Sequence, residues 1–439
     1  MTTELTRASG GEDLDPPAVH CPFDYARALE FDPSLRRLRE ESPVARITLP
    51  YGRGWAWLVT RYDDVRAVVT DTRFSRAAGI GRDLPRITPE PIAQTEAIQL
   101  MDPPAHTRVR RIAAQGFTTA RIRRLTPTIR AITHGLADDL AAHGSPADFT
   151  QLFAAPLPLA VTCELFAIPE SDRPAIRRLV IRLMSTDQGE ESTRAAKTNL
   201  RTYFLDLAAR RRAQPGDDLI SALATARDLH ENHDGTSTST SATGDGDGDG
   251  DGDASGDGDR LNLTELAVLA LQLVVGSHDS TTYQLSNILY TLLTHTDQLA
   301  ALRSRPDRLE PALEELLRFI PFRQGVGIAR IATEDVDLDG VTIRAGDAVH
   351  VSYLAANRDP RAFEYADDLD LTRPRPAHLT FGHGTHYCPG AALARAELRI
   401  AFETLLARFP TLRLAVLPAD IPWHTGSIWR YPEHLPLTW

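Results

Sequence analysis

Residues 263–294 run without a proline and carry two carboxylates, Glu265 and Asp279, in an otherwise largely apolar stretch. Such a span predicts a single helix of roughly nine turns. A helix that is apolar on nearly every side has to lie inside a protein, surrounded by other elements. A polar run, Ser277 to Thr282, falls at mid-length, and no apolar run in the chain reaches the roughly 18 residues that a membrane span needs. The fold class that follows is mainly α, built around one buried helix, with a minor β region.

The rest of the pattern agrees. Asp32 and Pro33 read as the N-cap and first residue of a helix that reaches Glu41. Ala45–Leu49 and Trp55–Val59 read as strands joined by a Gly-rich turn. Arg61–Thr70 reads as a helix with Val65, Val68 and Val69 on one face. Amphipathic helices follow from Arg108 to Arg227, and a further one spans Pro311–Phe319. β-like segments lie around Ile328–Ile331, Val336–Ile343 and Ala348–Tyr353. With 439 residues, 42 % of them hydrophobic, the chain can bury a large core.

Residues 1–20 are polar, with no stretch resembling a signal peptide, and read as a disordered tail. A low-complexity insert at 233–259 carries eight aspartates and no Lys or Arg, so disorder is expected there too. Its Asp-Gly alternation lacks the terminal glutamate of a calcium loop. Residues 21–439 then form a single domain around that insert. The net charge of −11 argues against a general affinity for nucleic acid. Cys21, Cys163 and Cys388 lie far apart and make no disulfide framework, which fits a reducing, cytoplasmic setting without a membrane.

Cys388 stands out by its surroundings. Phe381-Gly382-His383-Gly384-Thr385-His386-Tyr387-Cys388-Pro389-Gly390 is a glycine-punctuated loop that runs into a helical segment. Glycine lets such a loop fold closely around a sulfur, and a helix N-terminus aimed at it favours thiolate over thiol. His383, His386 and Cys388 lack the fourth nearby ligand of a structural zinc site. Extended to Arg395, the segment resembles the haem-binding signature of the cytochrome P450 family, F-G-x-G-x-H-x-C-x-G-x-x-L-A-R, at every specified position. The resemblance implies the cytochrome P450 fold, a long central helix over haem b, and Cys388 as axial ligand of the haem iron. Phe381, Gly382, His386 and Gly390 belong to the same cofactor-binding loop. Pro389 replaces the family's usual aliphatic residue; without an N–H it cannot donate to the sulfur, which predicts a more electron-rich thiolate.

Three further segments carry the likeness. Glu315 and Arg318, in E-E-L-L-R, share a helix face, and with Arg373 they match the family's buried structural trio. Prolines 103 and 104 open a helix that places His106 and Arg110 one turn apart, a spacing that suits a carboxylate. In the family these positions bind a haem propionate, with Arg330 and His386 as the other contacts. Gly276-Ser277-His278-Asp279-Ser280 matches a motif that loosens the central helix beside the iron. Asp279 and Ser280 are then the catalytic acid–alcohol pair that relays protons.

The resemblance implies a haem-thiolate monooxygenase of the soluble bacterial type. It uses dioxygen and two electrons from a ferredoxin and its reductase to oxidise, usually hydroxylate, a small organic substrate of secondary metabolism. No flavin or iron–sulfur motif is evident, so another protein must supply the electrons. Arg108, Arg110, Arg111, Arg121, Arg123 and Arg124 form a basic cluster where an acidic ferredoxin could dock. Pocket positions implied by the family are Val275, Gly276, Arg323, Gln324, Val326 and Trp429, which suit a medium-sized substrate with polar features. Cys388-Pro389-Gly390, Leu183-Met184-Ser185-Thr186 and Ala195-Ala196-Lys197 are similar to P450s that couple aromatic cyclodipeptides through C–C or C–N bonds. An alternative of another class is a haem-thiolate protein that binds or senses a ligand without turnover; Asp279 and Ser280 argue against it.

Overall fold

The structure, a computed structural model, describes residues 19–20, 28–87, 97–184, 190–226, 260–323, 325–424 and 428–439. The insert at 233–259, the tail up to residue 18, and Gln324 therefore lie outside the described residues. Val19–His20, assigned to the tail from sequence, form a short strand, β1.

Asp32 caps α1 (Pro33–Glu41), its carboxylate accepting from the Ser34 amide at 2.7 Å. β2 (Val44–Thr48) and β3 (Ala56–Val59) pair antiparallel, and β1 lies parallel to β2. α2 (Tyr62–Thr70) buries Val65, Val68 and Val69, as their spacing predicts. After β4 (Phe74–Ser75), the chain turns helical: α3 (Ala105–Gln115) and α4 (Thr119–His143), then β5 (Ala147–Asp148). α5 (Pro156–Leu165), α6 (Arg173–Met184), α7 (Glu190–Ala213) and α8 (Leu219–Thr225) follow.

α9 (Leu263–Thr294) crosses the middle of the molecule, packed by α5 and α7. It begins with a capping box: Asn262 Oδ1 accepts from the Glu265 amide at 2.8 Å, and Glu265 Oε2 accepts from the Asn262 amide at 2.9 Å. Contrary to the loosening implied by its polar middle, α9 is one continuous α-helix. Ser277 and Ser280 donate to the carbonyls of Val274 and Gly276, at 3.1 and 2.8 Å, so their hydroxyls bond along the helix instead of opening it.

α10 (Thr296–Ser304) and α11 (Leu309–Phe319) lead to the strands β6 (Arg330–Ala332), β7 (Val336–Leu338), β8 (Val341–Ile343) and β9 (Ala348–Val351). The main sheet has the order β1-β2-β3-β9-β6-β4. α12 (Tyr353–Asn357), the cysteine loop and α13 (Ala391–Arg408) come next, then β10 (Arg413–Leu414) and β11 (Pro436–Thr438). A large helical core surrounds α9, and two smaller clusters pack on the faces of the sheet. Helix predominates, with a lesser sheet, as the sequence reading holds.

Candidate active site

The cysteine loop rests on the end of α2. Gly382 and Gly384 have φ of 75° and 67°. A Cβ on Gly384 would also meet Thr70 Cγ2 at 2.9 Å and Val69 O at 3.0 Å, so this contact needs glycine for two reasons. The Gly382 amide donates to Leu379 O and the Cys388 amide to Phe381 O, both at 2.8 Å, closing the loop on itself. Gly390 has an ordinary negative φ and caps α13.

Burial raises the Cys388 thiol, while the amides of Gly390 and Ala391 and the charges of Arg110 and Arg395 pull it back down. Those amides begin α13, so the helix N-terminus does face the sulfur. Pro389 withholds its own N–H, and the next two residues supply theirs. Behind the loop, Arg395 lies 4.4 Å from the Phe381 ring centroid and donates to Glu314 at 2.6 and 2.9 Å. Burial would raise Glu314, but hydrogen bonds from His378 and Arg395 hold it at about 2. Glu314 escaped the sequence reading; the signal was its place as the first acid of E-E-L-L-R.

The structural trio assembles. Arg318 Nε and Nη2 donate to Glu315 at 2.7 Å each, with both residues inaccessible, and Arg373 Nε stands 3.1 Å from the same carboxylate. Arg318 also donates to the carbonyls of Asn357 and Ala366, at 2.8 and 2.7 Å, which ties α11 to the segment before the cysteine loop.

On the opposite side of the loop His106, Arg110, Arg330 and His386, the four expected groups, converge. His106 and His386 lie ring to ring, 4.4 Å between centroids. His386 is driven down to about 2, first by burial and then by Arg76, His106, Arg330 and Arg110. Arg110 Nη2 donates to Tyr387 O at 2.5 Å. Arg76 is an addition that sequence reasoning missed; it is buried, and donates to Gln99 O at 2.9 Å. The nearby acid, Asp102, is engaged by the amides of Arg76 and Ala77 at 3.0 and 3.2 Å. His106 Nδ1 and one Arg330 nitrogen, Nη2, are buried without a partner. Four guanidinium or imidazole groups around His386, with orphaned donors among them, call for an anion.

Mid-way along α9, Gly276 is exposed between buried and half-buried neighbours, and a Cβ built on it would meet no heavy atom within 4 Å. Ser280 lies one turn on, half-buried, and Ser277 meets Thr162 of α5 at 2.7 Å. Asp279 is 4 % exposed; burial pushes it up to about 7, and a hydrogen bond from Tyr283 opposes this. Val275 is half-buried beside Gly276. Arg323 lies over the Trp429 ring at 5.4 Å, and Trp429 stacks on Phe322, 5.4 Å and 17° apart. Val326 is buried in the sheet-side core and also lines a small cavity with Phe322 and Arg323.

Several arginines of the basic cluster have acidic or backbone partners within the chain. Arg108 pairs with Glu265, Arg110 turns toward the cysteine loop, and Arg121 and Arg124 face Asp217 at 3.7 and 3.8 Å. Intramolecular acids, invisible in the local sequence, take up part of its charge.

The sequence matches the family model for cytochrome P450 over residues 52–414. The chain is a cytochrome P450. It is similar to nocardicin C N-oxygenase of Nocardia uniformis subsp. tsuyamanensis, 42 % identical over 95 % of this chain and 98 % of that one. It is 38 % identical to the biflaviolin synthase of Streptomyces coelicolor over the whole of both chains. Among solved structures, a cytochrome P450 with biaryl coupling reactivity is 52 % identical, with a TM-score of 0.86 over 96 % of this chain and all of that one. This P450 is therefore an oxidoreductase of the haem-thiolate class, with haem b as its cofactor. The acid-poor cationic cluster, the amides aimed at Cys388 and the open face at Gly276 fit that group. Among the described residues, no helix is long and apolar enough to cross a membrane.

Proposed function

We propose that this P450 is a monooxygenase that takes electrons from a ferredoxin and its reductase and oxidises a medium-sized secondary metabolite bearing an aromatic ring, most simply by C–H hydroxylation. The observation that carries the reading is the placement of the buried acid Asp279 and the hydroxyl of Ser280 beside the open turn of α9. Haem b, when bound, supplies the reductive activation of dioxygen. Cys388 would ligate its iron, and His106, Arg110, Arg330 and His386, joined by Arg76, would hold its propionates. Phe381, Gly382 and Gly390 shape the loop, and Glu315, Arg318 and Arg373 pin it from behind. Asp279, poised near neutrality, gains and loses a proton with little penalty at working pH, and Ser280 passes it on.

A second reading is oxidative coupling of aromatic rings. It is favoured by the 52 % identical structure with biaryl coupling reactivity and by the Arg323–Trp429–Phe322 stack, which offers flat apolar surface under a cation. Both readings need the relay. Asp279→Asn should lower product formation on the order of 100-fold, and Ser280→Ala less, with more peroxide released. Unchanged product and peroxide in both variants would overturn the relay and favour a ligand-binding protein instead.

A further inference from the structure

Arg323 lies just past the end of α11, and its backbone pairs with Trp429 in an isolated antiparallel bridge. Its guanidinium lies over the Trp429 ring, 5.4 Å from the centroid. Trp429 stacks on Phe322 and also reaches Tyr283 of α9, 6.2 Å between centroids. Tyr283 is three residues beyond Ser280, so one cation and two flat rings stand close to the turn that carries the relay. That cation has no anion. Its Nε is buried without a partner, and among the described residues the side chain makes no hydrogen bond or ion pair. Other buried arginines end on oxygen: Arg39 on Ala355 O, Arg318 on Glu315 and Arg358 on Phe319 O. Asp32, which shares a small cavity with Arg323, lies under the charge of Arg430 instead. Burial lowers Arg323 and only the Tyr353 phenol opposes it, yet a guanidinium stays charged at working pH. An unpaired, desolvated charge is costly and is relieved by an anion.

We propose that Arg323 sets the substrate class: an aromatic ring bearing an ionised oxygen, which pairs with the guanidinium while the ring lies along Trp429 and Phe322. The inference deepens the function proposed above and rests on it. The shared chemistry is an anionic oxygen, from a carboxylate or from an ionised phenol. The guanidinium fork matches both oxygens of a carboxylate and can also donate two bonds to one phenolate oxygen. A site built this way rejects a neutral analogue of the same shape, because its cation is then left unpaired. The haem propionates belong to a different group of cations. Arg76, His106, Arg330 and Arg110 gather about His386, and Arg323 is not among them. Held at its anionic end, the ring keeps one orientation in the site.

The test is calorimetric titration of the haem-loaded protein, without reductant, using naphthoate, naphthol and the neutral methyl naphthoate. Naphthoate should bind about 10- to 100-fold more tightly than its ester. Naphthol, titrated across its own ionisation, separates the sources: affinity that climbs as it ionises marks phenolate, and a preference confined to naphthoate marks carboxylate. Arg323→Gln should abolish either preference while its Soret absorbance stays that of the parent. Arg323→Lys keeps the charge without the fork, should retain part of the preference, and decides the matter if Arg323→Gln does not fold. A parent that binds the ester as well as both anions would overturn the proposal. So would a preference that survives Arg323→Gln, or one left whole in Arg323→Lys. Loss of haem from a folded Arg323→Gln would assign the residue to the propionates and overturn it as well. No turnover enters these titrations. A parent that oxidises no NADPH with a surrogate ferredoxin and reductase would overturn the monooxygenase reading alone, and the anion preference would still be decided by binding.

Discussion

Pro389 is where this chain departs from the family's loop, and the structure refines what that departure does. The sulfur of Cys388 loses one amide donor to proline but keeps those of Gly390 and Ala391. Pro389→Leu would add a third donor and draw charge off the thiolate. The haem reduction potential should rise, as read by spectroelectrochemistry; an unchanged potential would mean that the two existing amides already satisfy the sulfur. Single residues in fixed motifs were the most legible part of the site. Cys388, His386 and Gly384 sit in one loop, as their offsets predict. Arg76 was not legible, because its partners in the cationic cluster come from α3, β6 and the cysteine loop, far away in sequence.

Elements were legible where a local rule governs them. Asp32 and Pro33 start α1, and absence of proline carries α9 from Leu263 to Thr294. The polar centre of α9 misled, since serine hydroxyls found carbonyls one turn back and left the helix continuous. Long-range pairing was legible only through the family: nothing local says that Arg318 reaches Asn357 and Ala366. Arg318→Met strands a buried Glu315, so it should lose about 3–5 kcal/mol of stability and its Soret absorbance. Retention of full haem with an unchanged melting temperature would contradict that. α13 carries a quieter feature, Glu397, which is buried with Oε2 unpartnered and held well above the ordinary carboxylate range by burial alone. Its folded-state value exceeds its unfolded one. Its neutral form therefore costs nothing at acid pH, and stability drains away as pH rises past the usual glutamate range. Glu397→Gln should flatten that decline, giving a melting temperature above the parent's at neutral pH and converging with it at acid pH.

At the scale of the whole molecule, the sequence says mainly α with a lesser sheet, and that is what forms around α9. The expected pocket positions were least legible: Arg323 and Trp429, far apart in sequence, meet only in three dimensions. The expected basic docking face fared differently: Glu265 and Asp217 neutralise part of it from elsewhere in the chain. The chemistry proposed for this P450 depends on one bond, which Cys388 would make to iron. The absorption spectrum of the ferrous–CO complex, taken beside Cys388→Ala, tests it most directly. A strongly red-shifted Soret band that disappears in the variant is the expected result. A band typical of histidine- or thiol-ligated haem in the parent would contradict the account.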